Sequence, residues 1–573
     1  MYIDVVPNRG SRPAVLLRES FREGKKVKKR TLANLSHWPE SKIERLRAAL
    51  KGEWVITSFE ITRSLRHGAV AAVLGTVRRL GLDRMIVARR SRSRDLVVAM
   101  IVARVISPSS KLALCRGLDP DQSTSSLGDV LGLGAVSEQE LYDAMDWLAA
   151  RQDAVEKKLV ARHLDEGSMI LFDVTSVHFE GRHCPLAEIG YAHSGPKGKL
   201  QIHIGLLCDQ DGRPLAVEVF KGSLGDPKAL TAQIAKVREH FGLRRVIWVG
   251  DRGTITSARI REDLEPEEGF DWITALRSVQ IRTLVRKDAF QPSLFDKCDL
   301  GEITSPDYPG ERLIVCRNPL LADERHRKRQ ALLTSTEVEL RKITAATRRK
   351  ARALRGQDKI GLRVGRVLGR FKMAKHFLLT ISDDAFTWER NLDKIAQEEA
   401  LDGFYIVRTS VPAEEMSADA IVASYKGLSR VETAFRLLKT VDLNIRPIRH
   451  RLENRVRAHV MLCMLAYYVE WHMREALAAL LFDDHDRQAA RELRTSSVAK
   501  AKRSPAALRK AASKRNDEGF PVNSFRSLLD SLDTIVQNTV VAKMPSLDQQ
   551  TLTRVTIPNP LQTKALDLLG VSL

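Results

Sequence analysis

Apolar and charged positions alternate through the first 35 residues, as in AVLLRESF and VKKRTL, with Glu23-Gly24 between the two runs. A period of two is that of a half-buried strand, so the segment predicts a small hairpin. Its basic face carries Arg18, Arg22, Lys25, Lys26, Lys28, Lys29 and Arg30. Ser41 and Glu44 have the spacing of a capping box and predict the start of a short helix. From about Ala69 to His163 the period lengthens. Residues 68–80, 95–106 and 137–163 each repeat apolar side chains at i, i+3, i+4 and i+7 and predict helices. The last begins with a second capping box, Ser137 and Glu140. Between the first two lies RRSRSR, residues 89–94, which reads either as a solvated loop or as a contact to a DNA backbone.

At Met169 the pattern shortens again. MILFDVTSVHFEG, LQIHIGLLCD and PLAVEVFKG predict three strands, the second and third joined by a turn at Gln210-Asp211-Gly212-Arg213. A helix over 226–241 follows, with Pro227 in its first turn. RRVIWVGDRG is a fourth strand ending in a glycine turn, 256–264 a helix and FDWITALR a fifth strand. The order β-β-β-α-β-α-β predicts an α/β fold with a mixed sheet flanked by helices. Residues 280–403 interrupt it with short strands (EITSP, RLIVCR), a long charged helix over 323–355 and the strand HFLLTIS. FYIVRTS, 404–410, returns to the sheet, and 418–475 is strongly helical. Residues 487–519 are basic, rich in Ala and Ser and poor in large apolar side chains, and read as a solvated or partly disordered segment, a candidate DNA contact. The expected division is a basic hairpin with a helical region over 1–165, a core over 166–280 and 404–475, an inserted β/helix domain over 281–403, and a basic helical region over 476–573.

Composition narrows the partners. The chain of 573 residues carries a formal charge of +22 and a pI near 9.8, which favours a polyanion such as DNA or RNA. At 6% aromatic residues there is no run of the kind that stacks RNA bases. No apolar stretch approaches the roughly 18–20 residues that span a bilayer, and MYIDVVPNRG lacks a signal-peptide pattern. A cytoplasmic location and no membrane partner are expected. The six cysteines are scattered, without a CxxC pair. His178, His183, Cys184 and His193 cluster at a spacing that fits no zinc site and read as loop and surface residues.

Two aspartates stand out. Asp173 lies inside an otherwise apolar strand, where a carboxylate costs several kcal/mol unless it is paired or binds a cation. It reads equally as an exposed strand-end residue bonded to Thr175 or Ser176. Asp251 closes the apolar strand VIWVGD, at the edge where open α/β sheets bind ligands, or is a simple turn residue. If the two strands are neighbours, the carboxylates repel unless a divalent cation joins them. In YKGLSRVETAFRLLKT, Tyr425, Glu432 and Lys439 are seven apart, about two helical turns, and share a face. Arg436 follows Glu432 by one turn.

This constellation resembles the Asp-Asp-Glu transposases of bacterial insertion sequences, in the subgroup with a Tyr-Arg-Glu-Lys signature around the catalytic Glu. LFDVTS, VGDRG and YKGLSRVETAFRLLK match the family's three carboxylate segments, Tyr425 its Tyr and Lys439 its Lys. The signature Arg falls on Leu428, a departure that leaves Arg430 or Arg436 for that role. The resemblance covers about 165–475, and the N-terminal VLLRESFREGKKVKKRTLANLS resembles one branch of the family. It implies a ribonuclease H-like core with a β-rich insertion and a mainly helical N-terminal DNA-binding region. It also implies Asp173, Asp251 and Glu432 as ligands of two Mg²⁺ ions (Mn²⁺ as a substitute), which cut the ends of a DNA element and join them to a target. Tyr425, Arg430, Arg436 and Lys439 are then DNA contacts, Arg348, Arg349 and Lys350 hold flanking DNA, residues 1–160 bind terminal inverted repeats, and the active form is a homodimer. A nuclease or resolvase on the same fold that cuts without joining, and a non-catalytic DNA-binding regulator, are the alternatives.

Overall fold

The computed structural model describes residues 1–52, 58–190, 198–292, 299–494, 496–543 and 550–573; His193 and Cys298 lie outside the described residues. The predicted hairpin is β2 (Ser11–Glu23) with β3 (Lys26–Asn34), turning at Gly24 with φ 64°, and β1 (Tyr2–Asn8) lies on the other edge of β2. Helix Glu40–Leu50 follows without the predicted Ser41–Glu44 capping box. Pro39, with φ −58°, is its N-cap, so Ser41 is already inside the first turn and Glu44 pairs with Arg47 at 2.5 Å.

Helices Gly68–Arg79, Arg92–Ile106, Glu138–Ala149 and Gln152–His163 are the longer members of the helical region, with the short helices Leu82–Ile86, Lys111–Leu118 and Leu127–Leu131 between them, and the Ser137–Glu140 capping box forms. The stretch predicted as one helix over 137–163 is two. Arg151 stacks on the Trp147 ring at 4.0 Å and donates to the Trp147 carbonyl at 3.0 Å, closing the first helix at its C-terminal end. The RRSRSR segment is an internal tie rather than a loose loop. Arg90 bonds Asp95 and the Leu131 carbonyl, each at 2.7 Å, and Arg92 bonds Glu140 and the Leu133 carbonyl, each at 2.6 Å.

These helices pack around helix Glu453–Leu477, whose Val456, Met461, Leu465 and Tyr468 are fully buried. Helices Phe525–Leu532 and Pro560–Leu569 share the same core. β4 (Ser58–Arg66) pairs antiparallel with β16 (Val536–Lys543), which pairs with β17 (Gln550–Val555). The region over 476–573, expected to be helical, therefore contributes two strands as well. The basic stretch 487–519 is largely exposed, as expected, but it is anchored at a few described residues. Ser504, Ala507 and Lys510 in and beside helix Pro505–Ser513 are buried, and Lys510 Nζ donates to the Ala478 and Asp483 carbonyls at 2.8 Å each.

The central sheet has nine strands: β5 (Ser168–His178), β6 (Glu188–Ile189), β7 (Leu200–Asp209), β8 (Pro214–Lys221), β9 (Val246–Val249), β10 (Phe270–Ala275), β11 (Leu300–Ile303), β12 (Arg312–Arg317) and β15 (Phe404–Thr409). β5, β9 and β10 are mutually parallel neighbours; every other pairing is antiparallel. The strands β8-β7-β5-β9-β10 lie side by side in the order third, second, first, fourth, fifth, which is a ribonuclease H-like sheet. β15 returns against β10 as expected, and β12 and β11 extend the sheet beyond it.

The rest of 281–403 packs a core of its own. Leu333, Leu340, Ile360, Val364, Phe377 and Phe386 come from helices Pro319–Thr347 and Gln357–Phe371 and the hairpin of β13 (Phe377–Ile381) and β14 (Phe386–Arg390). The charged helix stops at Thr347, so Arg348, Arg349 and Lys350 lie in the loop after it, not on it. The cause is local. The chain folds back, Leu354 N–H bonds the Ala346 carbonyl at 3.0 Å, and Arg355 donates to the Thr347 carbonyl at 2.8 Å, satisfying the orphan acceptors of the last turn.

Alternation along β5 sets up the site. Ile170, Phe172 and Val174 pack on the sheet face with Leu230, Trp248 and Ile260. Leu171 and Val177, and with them Asp173 and Thr175 by the period of two, belong to the opposite face, with the 428–436 and 453–477 helices. Among the described residues no single helix is long and apolar enough to cross a membrane.

Candidate active site

β5 and β9 are parallel neighbours in which Leu171 is opposite Val249. Asp173 is two residues beyond Leu171, and Asp251 is two beyond Val249. Asp173 therefore lies within β5 and Asp251 in the turn just past the end of the neighbouring β9, both beyond Leu171 and Val249, the last residues paired between the two strands. Asp173 is half-buried, and its Oδ1 accepts the Val174 N–H at 2.8 Å. Asp251 is exposed; its Oδ1 accepts the Gly253 and Thr254 N–H groups at 2.9 and 2.8 Å, the Asx-type turn that ends the strand. Each uses one carboxylate oxygen in these bonds.

Helix Leu428–Arg436 packs on β5 through Val431, Ala434 and Phe435 and leaves Glu432 exposed. The predicted single helix is divided: Ala418–Lys426 carries Tyr425, Gly427 is the junction with helical dihedrals (φ −57°, ψ −24°), and a π turn, Leu437–Val441, carries Lys439. The junction keeps the helical path, so Tyr425 and Glu432 stay close enough to Asp173 for their charges to act on one another. Lys439 Nζ donates to Thr175 Oγ1 at 2.5 Å, on the Asp173 face of β5.

Burial pushes the Asp173 carboxyl up to about 7, and the charges of Asp251, Glu432 and Asp226 push the same way. Burial, Asp251, Glu432 and Asp173 raise the Tyr425 hydroxyl to about 12, against Arg252, so it remains a donor. Burial lowers Lys439 to about 8, opposed by Asp173 and assisted by Arg446. Three carboxylates with a fourth nearby, all oxygen donors, are a ligand set for a hard divalent cation. Among the described residues no three His, Cys, Asp or Glu side chains stand at the spacing that encloses an ion. Glu432 is the exposed member of the set.

Other expected residues lie elsewhere. Arg430 donates to the Gln210 carbonyl and lies 3.8 Å from Asp211, clamped on the β7–β8 turn. Arg430 and Arg436 both line a cavity of about 710 Å³ beside that turn. Arg348, Arg349 and Lys350 belong to the inserted body. Sequence reasoning missed Asp226, in the first turn of helix Asp226–Ala235, and read Thr175 as a partner of Asp173, whereas its hydroxyl accepts from Lys439. His178, His183 and Cys184 form no metal cluster among the described residues, and the five described cysteines are free thiols.

The ribonuclease H-like sheet carries one aspartate within its first strand and another in the turn after its fourth, with a glutamate on a following helix. Comparison with known proteins gives the family. The family described as transposase DDE domain matches residues 165–469, more than half of the chain, and the chain belongs to that family. The IS1634 family transposase N-terminal domain matches residues 3–55. No curated protein matches. Among solved structures, a piggyBac transposase synaptic complex with hairpin DNA is similar at 10% identity over 78% of this chain and 79% of that one, with a TM-score of 0.33. The protein is thus a DNA transposase of the insertion-sequence type, an enzyme that cuts DNA and transfers strands.

Proposed function

We propose that Asp173, Asp251 and Glu432 are the catalytic carboxylates and that they hold two Mg²⁺ ions. The observation that supports this is that Asp173 and Asp251 each follow by two residues the last paired residues, Leu171 and Val249, of the parallel neighbours β5 and β9, and that the helix bearing Glu432 packs on β5. Burial chiefly, and after it the charges of Asp251 and Glu432, hold the Asp173 carboxyl up, and a bound cation would relieve both. Two bound divalent ions supply activation of a hydroxyl nucleophile and stabilisation of the departing oxygen. The chain's own residues do the remainder. Lys439, fixed on Thr175, presents a point charge to a phosphate beside Asp173, and Tyr425 presents a hydroxyl donor. The Asp251 turn is built from backbone N–H groups, which fixes its carboxylate before DNA arrives.

Terminal inverted repeats are the substrate, residues 1–165 their binding region, a homodimer the active form, and the loop with Arg348, Arg349 and Lys350 a contact to flanking DNA. The test uses DNA flanking the coding sequence, Mg²⁺, and the variants Asp173→Asn, Asp251→Asn and Glu432→Gln. Each is expected to lose end cleavage and joining by on the order of 10³-fold while still binding DNA. A variant that cuts and joins at the unsubstituted rate removes its residue from the set.

A further inference from the structure

The segment that leaves the Glu432 helix meets the N-terminal helical region around a cavity of about 440 Å³. One wall is the elbow over 107–110, where the chain turns through 105° between helices Arg92–Ile106 and Lys111–Leu118. The other is the loop over 444–450 and the first turns of helix Glu453–Leu477. Arg104, Lys111, Arg446, Arg449, His450 and His459 line it, and its described lining includes no carboxylate. The acids near it are engaged: Glu180 with Arg446 at 2.6 Å, and Asp146 with Arg455 at 3.0 Å.

Such crowding of like charge is costly unless an anion enters. Lys111 is lowered to about 8 by burial and by Arg104, and His450 to about 4 by burial and by Lys111, Arg455 and Arg104. His459 is driven well below its ordinary value by burial, Arg104 and Lys111. Its Nε2 donates to the Ile445 carbonyl at 2.8 Å, and its Nδ1 is buried without a partner. Arg104 is oriented by the Asn444 carbonyl at 3.2 Å. The side chains of Lys111 and Arg449 have no hydrogen-bond or ion-pair partner among the described residues. Ser109, Ser110 and Lys111 place the N-terminus of helix Lys111–Leu118 on the same wall, an end that favours an anion. Arg446 connects the cavity to the active site, since its charge also acts on Lys439, beside Asp173.

We propose that this cavity is a phosphate-binding site that grips the backbone of a DNA strand passing from the carboxylates to the N-terminal region, an inference that rests on the chain acting on DNA. The test uses full-length protein carrying Asp173→Asn, so that cleavage does not intrude. Binding of a fluorescein-labelled 40-base-pair duplex is measured by anisotropy across a range of KCl. Lys111→Gln and Arg449→Gln are each expected to reduce the slope of log K against log salt by about 0.9 and the affinity at 0.1 M salt by about tenfold. Arg449→Lys, which keeps the charge, is expected to restore the slope. In parallel, melting is followed with inorganic phosphate. Stabilisation that both neutral variants abolish, without a change of slope, assigns the site to a free phosphoryl species. If the unsubstituted chain binds no duplex but shows that stabilisation, the reading as a DNA enzyme fails and the phosphate site stands. A folded double variant with unaltered slope and unaltered phosphate response overturns the proposal.

Discussion

A methyl group on Gly253 would stand 3.2 Å from Asp251 Oδ1, the atom that accepts the Gly253 and Thr254 N–H groups. Gly253→Ala therefore forces the Asp251 carboxylate to move by a few tenths of an ångström. Single-turnover end cleavage is expected to slow roughly tenfold, because displacement of a reacting group is costly even when small. DNA affinity should not change, and an unaltered rate would show that the carboxylate has slack. Legibility differs residue by residue. Asp173 is conspicuous in sequence because it interrupts an apolar strand. Asp226 is not, since an Asp before Pro at a helix start is ordinary N-terminal chemistry, and only the fold brings it to Asp173. Arg348, Arg349 and Lys350 continue the charged pattern of the helix before them, and what ends that helix is Arg355, several residues further on.

Helix Glu453–Leu477 is the element on which the molecule is assembled, and it carries a buried charge network. Arg474 binds Glu470 Oε1 at 2.7 Å and Asp442 at 2.5 Å, while Glu470 Oε2 is buried without a partner. Burial, opposed by Arg474 and assisted by Asp442, pushes the Glu470 carboxyl up to about 8. An acid raised above its unfolded value of roughly 4.3 binds its proton more tightly in the folded chain, so its contribution is complete below that value. The contribution is lost as pH rises toward about 8. Glu470→Gln keeps a partner for Arg474 and removes the titration. The fall in melting temperature between pH 6 and pH 9 should shrink in the variant by the equivalent of a few kcal/mol at most. An identical fall in both proteins would exclude Glu470 as its source. At this scale periodicity located most helices and strands of the core, because each buries one face. It did not place the breaks at Arg151 and Gly427, where one side chain or one backbone position decides, nor the anchoring of the largely exposed stretch 487–519 through Ser504 and Lys510, which bond Asp484 and two carbonyls that only the folded chain presents.

The whole molecule is tied together across its length. Gly68 and Gly75 leave room on helix Gly68–Arg79 for the Leu532 carbonyl and Val571, which a Cβ would meet at 2.1 and 2.5 Å. Leu528, Leu532, Leu566 and Leu569 are buried in the core of the N-terminal helices, and β4 depends on β16 for its only described partner strand. No local pattern in the sequence announces such pairing between distant segments. A chain ending at residue 520 should therefore expose helices 68–79 and 453–477 and be cleaved there rapidly by a dilute protease; protection equal to that of the full chain would show the helical region to be self-sufficient. The same tie has a consequence during synthesis. Residues 68–149 leave the ribosome about 400 positions ahead of the segments that cover them, a wait of roughly 20–80 s at 5–20 residues per second. During that interval their apolar faces need a chaperone or a transient cover. A nascent chain that stalls midway lacks helices Leu428–Arg436 and Glu453–Leu477 and the 525–569 segments that pack on its helical region.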